Sequence, residues 1–104
     1  MPRTLRVVRR TLRRPGRIVP AAAARLHGRL VILGPGRSIA WHSTGPREEV
    51  VIGIAGTARL EWLQAERLRR ATLAAGQSAF LPRQTAHRVV NRSRGPARYL
   101  YLTG

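Results

Sequence analysis

From residue 29 onward the chain is cut by glycine or proline at intervals that leave little room for a helix, and between the cuts it is apolar and β-branched. Residues 29–33 stop at Gly34-Pro35-Gly36, residues 38–42 stop ahead of Gly45-Pro46, and residues 49–55 form a continuous apolar run closed by Gly56. Residues 57–63 and 67–73 flank Gln64-Ala65-Glu66 as the arms of a hairpin would. Residues 78–81 end at Pro82, and residues 87–91 and 97–103 complete the series. Short runs spaced about ten residues apart predict an all-β sandwich or barrel. A helix over residues 60–73 is the main competitor, because Glu61, Glu66 and Arg70 suit one. Gly56 and Gly76 bracket that stretch and favour the hairpin.

The first 28 residues follow different rules. Nine of the twenty arginines lie in residues 1–29 without a single acid, and Pro2, Pro15, Gly16 and Pro20 punctuate the stretch. Leu5, Val8 and Leu12 stand at helical spacing, which allows a short amphipathic helix that is marginal alone. Arg9-Arg10 ahead of Ala21–Ala24 is a weak form of an export signal, broken by Pro20, and the acid-free composition is also that of a transit peptide. The division expected is an Arg-rich extension over 1–28, disordered or packed on a partner subunit, and one domain over 29–104.

Net charge is +16, carried by arginine alone. An all-arginine complement with abundant Ala, Gly and Pro fits a GC-rich coding sequence, which is the bland account of the charge. Nucleic acid bound through its phosphates is the sharper one. It is not favoured, since no aromatic residue interleaves 1–29 and no recognition motif follows. Without cysteine, disulfides and thiolate chemistry are excluded. No apolar run approaches the roughly 18–20 residues that span a bilayer, so the expectation is a cytoplasmic protein with no membrane partner.

Carboxylates and imidazoles are scarce: Glu48, Glu49, Glu61 and Glu66, with His27, His42 and His87. Both groups are ordinary ligands of divalent transition metals. His42 and Glu49, seven residues apart, with His87 far downstream, make a candidate site of two histidines and one carboxylate.

Residues 36–56, GRSIAWHSTGPREEVVIGIAG, resemble the first motif of the cupin superfamily, G-x5-H-x-H-x(3,4)-E-x6-G. Gly36, His42, Glu49 and Gly56 fall in register, and Thr44 occupies the second histidine position. Residues 76–91, GQSAFLPRQTAHRVVN, resemble the second motif, G-x5-P-x-G-x2-H-x3-N, through Gly76, Pro82, His87 and Asn91, with Gln84 in place of the middle glycine. The resemblance spans about residues 29–104. It implies a small single-domain cupin: a double-stranded β-helix, or jelly-roll barrel, that holds one divalent transition metal (Fe, Mn, Zn, Ni or Cu) through His42, Glu49 and His87. Thr44 and Gln84 would then line the open side. Glu48 competes for the register of Glu49, but the six-residue gap to Gly56 favours Glu49.

Period-two alternation supplies a separate expectation for the faces. It places Ser38, Ala40, His42 and Thr44 on one side, and Ile39 and Trp41 on the other. After a tight turn at Gly45-Pro46, Glu49 would stand beside them on the neighbouring strand, with Val51, Gly53 and Ala55 on its face. Val50, Ile52 and Ile54 point the other way, toward a second sheet or another subunit. His87 would arrive across the barrel mouth. Trp62, Phe80, Tyr99 and Tyr101 read as core or pocket wall, Asn91 as a backbone-bonding residue, and His27 as a surface one. An ordinary ion pair between Glu49 and Arg83 or Arg88 competes with the metal reading.

Two functions follow. One is a metal-binding cupin acting on a small polar molecule, with dioxygenase-type oxidation ahead of isomerisation because no separate general base is evident. The other is a non-catalytic ligand-binding or sensor module whose basic arm contacts an acidic partner or nucleic acid. Homodimerisation through the apolar outward face of Trp41, Val50, Ile52 and Ile54 is expected in either case, as the resemblance also implies.

Overall fold

A computed structural model describes residues 6–104. Nine strands appear in order: β1 (Gly16–Arg17), β2 (His27–Leu33), β3 (Ser38–Ser43), β4 (Glu49–Ala55), β5 (Thr57–Gln64), β6 (Arg67–Ala74), β7 (Ser78–Leu81), β8 (Ala86–Val90) and β9 (Ala97–Thr103). They form two antiparallel sheets, ordered β1-β2-β9-β4-β7 and β3-β8-β5-β6. The described residues contain no helix, and none is long and apolar enough to cross a membrane. The all-β barrel expected from the turn spacing is the observed fold.

Alternation works well along β4. Glu49, Val51 and Gly53 are buried, while Val50, Ile52 and Ile54 are half-buried on the outward face. Val51 joins Leu33, Leu60, Leu73, Leu81, Val89 and Tyr99 in one core between the sheets. Each such side chain, taken fully out of water, contributes roughly 1.5–3 kcal/mol before entropy is counted. The hairpin of β5 and β6 is also as expected, in register from Thr57↔Ala74 to Gln64↔Arg67. Its turn is tighter than the sequence suggested. Only Ala65 and Glu66 lie outside the strands, at φ 50° and 64°, the double positive-φ requirement of a two-residue hairpin turn.

Three expectations about faces and neighbours are corrected. The places of Glu49 and His87 are exchanged: His87 does not arrive across the barrel but stands beside His42 where β3 pairs with β8, whereas Glu49 comes from the other sheet, where β4 pairs with β7 and β9. The Gly45-Pro46 turn is a crossing between sheets, not a hairpin. Within β3 the alternation itself breaks. Ile39 faces Val89 and His42 faces His87, so three steps on one strand meet two on the other. This bulge adds a residue and reverses the faces downstream of it. Ile39 therefore packs on the core, while Ser38 and Ala40 are exposed and do not line the barrel. Phe80 is the third correction: it is 59% exposed on β7 rather than core or wall.

The sheet also reaches back into the basic extension. Gly16 and Arg17 pair with Leu30 and Arg29, and the Ile18 amide donates to the Gly28 carbonyl. β2 itself begins at His27, slightly ahead of the boundary drawn from composition. The amphipathic helix allowed around Leu5, Val8 and Leu12 is not formed over residues 6–12, and Leu5 lies outside the described residues.

Candidate metal centre

His87 enters from β8 and is 1% exposed. Its Nδ1 lies 2.9 Å from the Thr85 carbonyl. A carbonyl oxygen only accepts, so Nδ1 carries the hydrogen and Nε2 is left with its lone pair whenever the ring is neutral. His42, its direct partner across the β3–β8 ladder, repeats the device with Nδ1 2.8 Å from the Ala40 carbonyl. The two rings lie 4.2 Å apart between centroids, tilted by 57°. A backbone carbonyl that fixes the far nitrogen is the usual support of a metal-ligating histidine.

Glu49 comes from the opposite sheet and is 8% exposed. Its Oε2 is 3.2 Å from His87 Nε2. With the ring neutral and its hydrogen on Nδ1, Nε2 and the carboxylate are both acceptors, and Nε2 is buried without a hydrogen-bond partner. An orphaned buried nitrogen is costly unless something else engages it. One ligand atom from each of His42, Glu49 and His87 falls within 4.8 Å of the others, so the cluster could hold a metal ion. Burial works to lower the His87 pKa, but the Glu49 carboxylate and the Thr85 carbonyl outweigh it, and the pKa is raised from its ordinary value. A metal must displace that proton, so its affinity falls as the pH drops.

Glu48, the competing register, is exposed, and its backbone bonds to Gly104. Nor does an arginine claim Glu49. Arg88 pairs with Glu61 instead, Nε to Oε1 at 2.6 Å, with Arg59 at 4.0 Å. Glu61 was not singled out from the sequence as a buried group, yet it is 2% exposed on the outward face of its sheet. The Arg88 hydrogen bond leads in lowering its pKa, against the opposing effect of burial. Arg88 also lies over Trp41, 5.2 Å from the ring centre. Trp41 is 41% exposed, so it is not covered by a second sheet, and it belongs to the sheet opposite Val50, Ile52 and Ile54 rather than to one outward face with them.

Thr44 and Gln84 take up positions different from those the motif suggested. The Thr44 hydroxyl donates to the Pro82 carbonyl at 2.7 Å and accepts from the Thr85 amide at 3.0 Å. Both of its roles are used in tying the end of β3 to the loop before β8, and it does not line the cavity. Its chemistry reaches the cluster indirectly, by steadying the residue whose carbonyl orients His87. Gln84 is exposed in a shallow hollow with Pro46, Pro82 and Arg83. Its φ is 56°, and its amide donates to the Gly45 carbonyl. The residue stands where the motif has glycine because the turn needs a left-handed conformation. Gln84→Gly is therefore expected to raise stability by about 0.5–1 kcal/mol in chemical denaturation, the relief of left-handed strain less the entropy glycine adds. No change, or a loss, would show that the turn carries no strain.

Over the cluster lies a cavity of about 450 Å³ reached past exposed His42. Tyr99 and Tyr101 contribute to its wall, as expected, and Ser43, Thr103 and Arg29 join them without having been singled out. Burial, followed by the Glu49 charge, raises the Tyr99 pKa and keeps its phenol neutral. Asn91 is buried and bonds the backbone: its amide donates to the Leu33 and Gly95 carbonyls at 2.8 and 2.9 Å.

The Cupin_2 family model, described as a cupin domain, matches residues 29–103. No curated protein sequence matches the chain. Among solved structures, a protein from Thermus thermophilus is 26% identical with a TM-score of 0.73, covering 93% of this chain and 89% of that one. A cupin 2 conserved barrel domain protein from Salinispora arenicola is 22% identical at a TM-score of 0.70, covering 96% and 89%. Recombinant oxalate oxidase in complex with glycolate superposes at a TM-score of 0.70 with 18% identity over 75% of this chain. The present chain spans only 41% of that larger one.

Proposed function

The chain belongs to the cupin family, and from that premise we propose that it holds one divalent transition metal through His42, Glu49 and His87 and acts on a small polar molecule in the barrel. The observation that carries this reading is the buried, unpaired Nε2 of His87, aimed into a space that His42 and Glu49 share. The donor set suits the group: two imidazoles with their far nitrogens tied to carbonyls, and one carboxylate to offset charge. Iron, manganese, zinc, nickel and copper all accept such a set.

A metal held there by His42, Glu49 and His87 would supply Lewis-acid polarisation or redox chemistry. The chain's own part is positioning. The Ala40 and Thr85 carbonyls hold the two rings in one tautomer, and the Thr44 hydroxyl steadies Thr85. Val31, Ile39 and Val89, with the Tyr99 ring, make the inner wall largely apolar. The cavity lining contains no acid and no histidine beyond the proposed ligands, which favours oxidation of the dioxygenase type over isomerisation.

A second reading is a ligand-binding module without turnover, its basic extension contacting an acidic partner or nucleic acid. It is favoured by Thr44, which leaves three ligands and a hydroxyl already engaged. In both readings we place the protein in the cytoplasm as a homodimer, joined through the half-buried outward face of Val50, Ile52 and Ile54. Elemental analysis of the full chain, purified with all five metals available, is expected to find one ion per chain. Protein that stays metal-free under those conditions sinks the metal reading.

A further inference from the structure

We propose that the cavity selects a small organic anion with an apolar body, its carboxylate held at the mouth by Arg29; this rests on reading the cavity as the ligand site. Along β2, Leu33 is core and Val31 packs against it, so alternation sends Arg29 to the same inward side. Its partner across the ladder is Tyr101, and both residues line the cavity. Arg29 is exposed, which places its guanidinium at the lip rather than in the depth.

That guanidinium has no ion-pair partner among the described residues. The arginines in ion pairs among the described residues are Arg59 and Arg88, both on Glu61. The one carboxylate in the cavity, Glu49, stands at His87. A planar guanidinium with free donors matches a carboxylate two bonds at a time, which an ammonium does not.

The remaining wall sets the body of the ligand. Val31, Ile39 and Val89 are apolar, and the tyrosine rings add flat surface. About 450 Å³ is more than a two-carbon acid fills, so an aromatic or branched monocarboxylate suits the space. A net charge of +16 raises the concentration of anions near the mouth.

The test compares a charged ligand with its neutral isostere. Phenylacetate, phenylacetamide and acetate are titrated calorimetrically into the full chain, both chelator-treated and zinc-loaded. The expectation is that phenylacetate binds about ten-fold more tightly than the amide or acetate in both forms. Arg29→Gln should lose that ten-fold for phenylacetate and leave phenylacetamide unchanged, with the metal content and melting temperature of the parent. Arg29→Lys should recover only part of the loss, for want of the fork. Equal binding of acid and amide overturns the proposal, as does binding of neither, or an Arg29→Gln variant that keeps the preference. The metal reading fails separately: wild-type protein that takes up no zinc yet still prefers phenylacetate loses that reading and keeps this one.

Discussion

His87→Ala is expected to take bound divalent metal from one ion per chain to none detectable by equilibrium dialysis against micromolar zinc. The reason is the ligand count. With Thr44 committed to Pro82 and Thr85, the cluster has three donors and no spare. Removing one leaves His42, which is exposed, and Glu49 from the other sheet, and two donors on separate sheets do not hold a labile ion. Losing merely a supporting partner of a ligand costs about 10–100-fold in affinity, so losing the ligand itself costs more. The side chain is also interior, and a folding control is needed. Far-ultraviolet circular dichroism should show the β spectrum retained. His42→Ala, at an exposed position, should reproduce the metal loss with a smaller effect on stability. A folded His87→Ala protein carrying a full complement of metal would rule out His87 as a ligand.

A large effect on stability is expected at Gly56. Gly56→Ala should lose at least about 3 kcal/mol, among the costlier single substitutions. On a domain of this size that corresponds to a melting temperature lower by more than about 12 °C. Two costs combine there. The residue sits at φ 66°, and a Cβ would stand 2.3 Å from the Pro96 carbonyl oxygen and 3.2 Å from the Ala97 Cα. These are backbone atoms, and they cannot rotate away. Gly36 is the control, since it shares the positive φ, 74°, but has nothing within 4 Å of the same position. Gly36→Ala should cost only about 1 kcal/mol, from conformation alone. Equal losses at the two glycines would show that the close approach of Pro96 contributes nothing.

Gly56 illustrates how the sequence and the fold divide the information. Its place at the end of the first motif was legible, as was the need for a turn there. The neighbour that forbids a side chain lies forty residues later in the chain, on the segment leading into β9. His42, Glu49 and His87 were likewise legible by spacing and scarcity, and they do converge. The path by which they converge was not. Alternation is a local rule, and one bulge between Ile39 and His42 is enough to reverse it. A tight turn at Gly45-Pro46 reads the same whether the chain returns in its own sheet or crosses to the other.

Charge hid more than it revealed. With twenty arginines among 104 residues, Arg29 at the cavity lip carried no signal of its own, and Arg88, expected as a competitor for Glu49, pairs instead with Glu61. Parity with Val31 and Leu33 was the one available clue to Arg29, and a charged residue at a strand end is ordinarily read as solvated.

By itself, then, the sequence determined the strands, the turns between them, and which three residues can offer metal ligands, because each of these is set by residue type and short spacing. Tertiary structure alone decided which sheet each strand joins, which groups are left unpaired in the interior, and what Thr44 does. Its hydroxyl bonds to residues about forty positions away. A hydroxyl at the ligand position of a motif looks like a weakened ligand until its partners are seen. The fold makes it a brace for Thr85, and so for the ring of His87, because hydrogen bonds between segments distant in sequence are chosen by packing and not by local pattern.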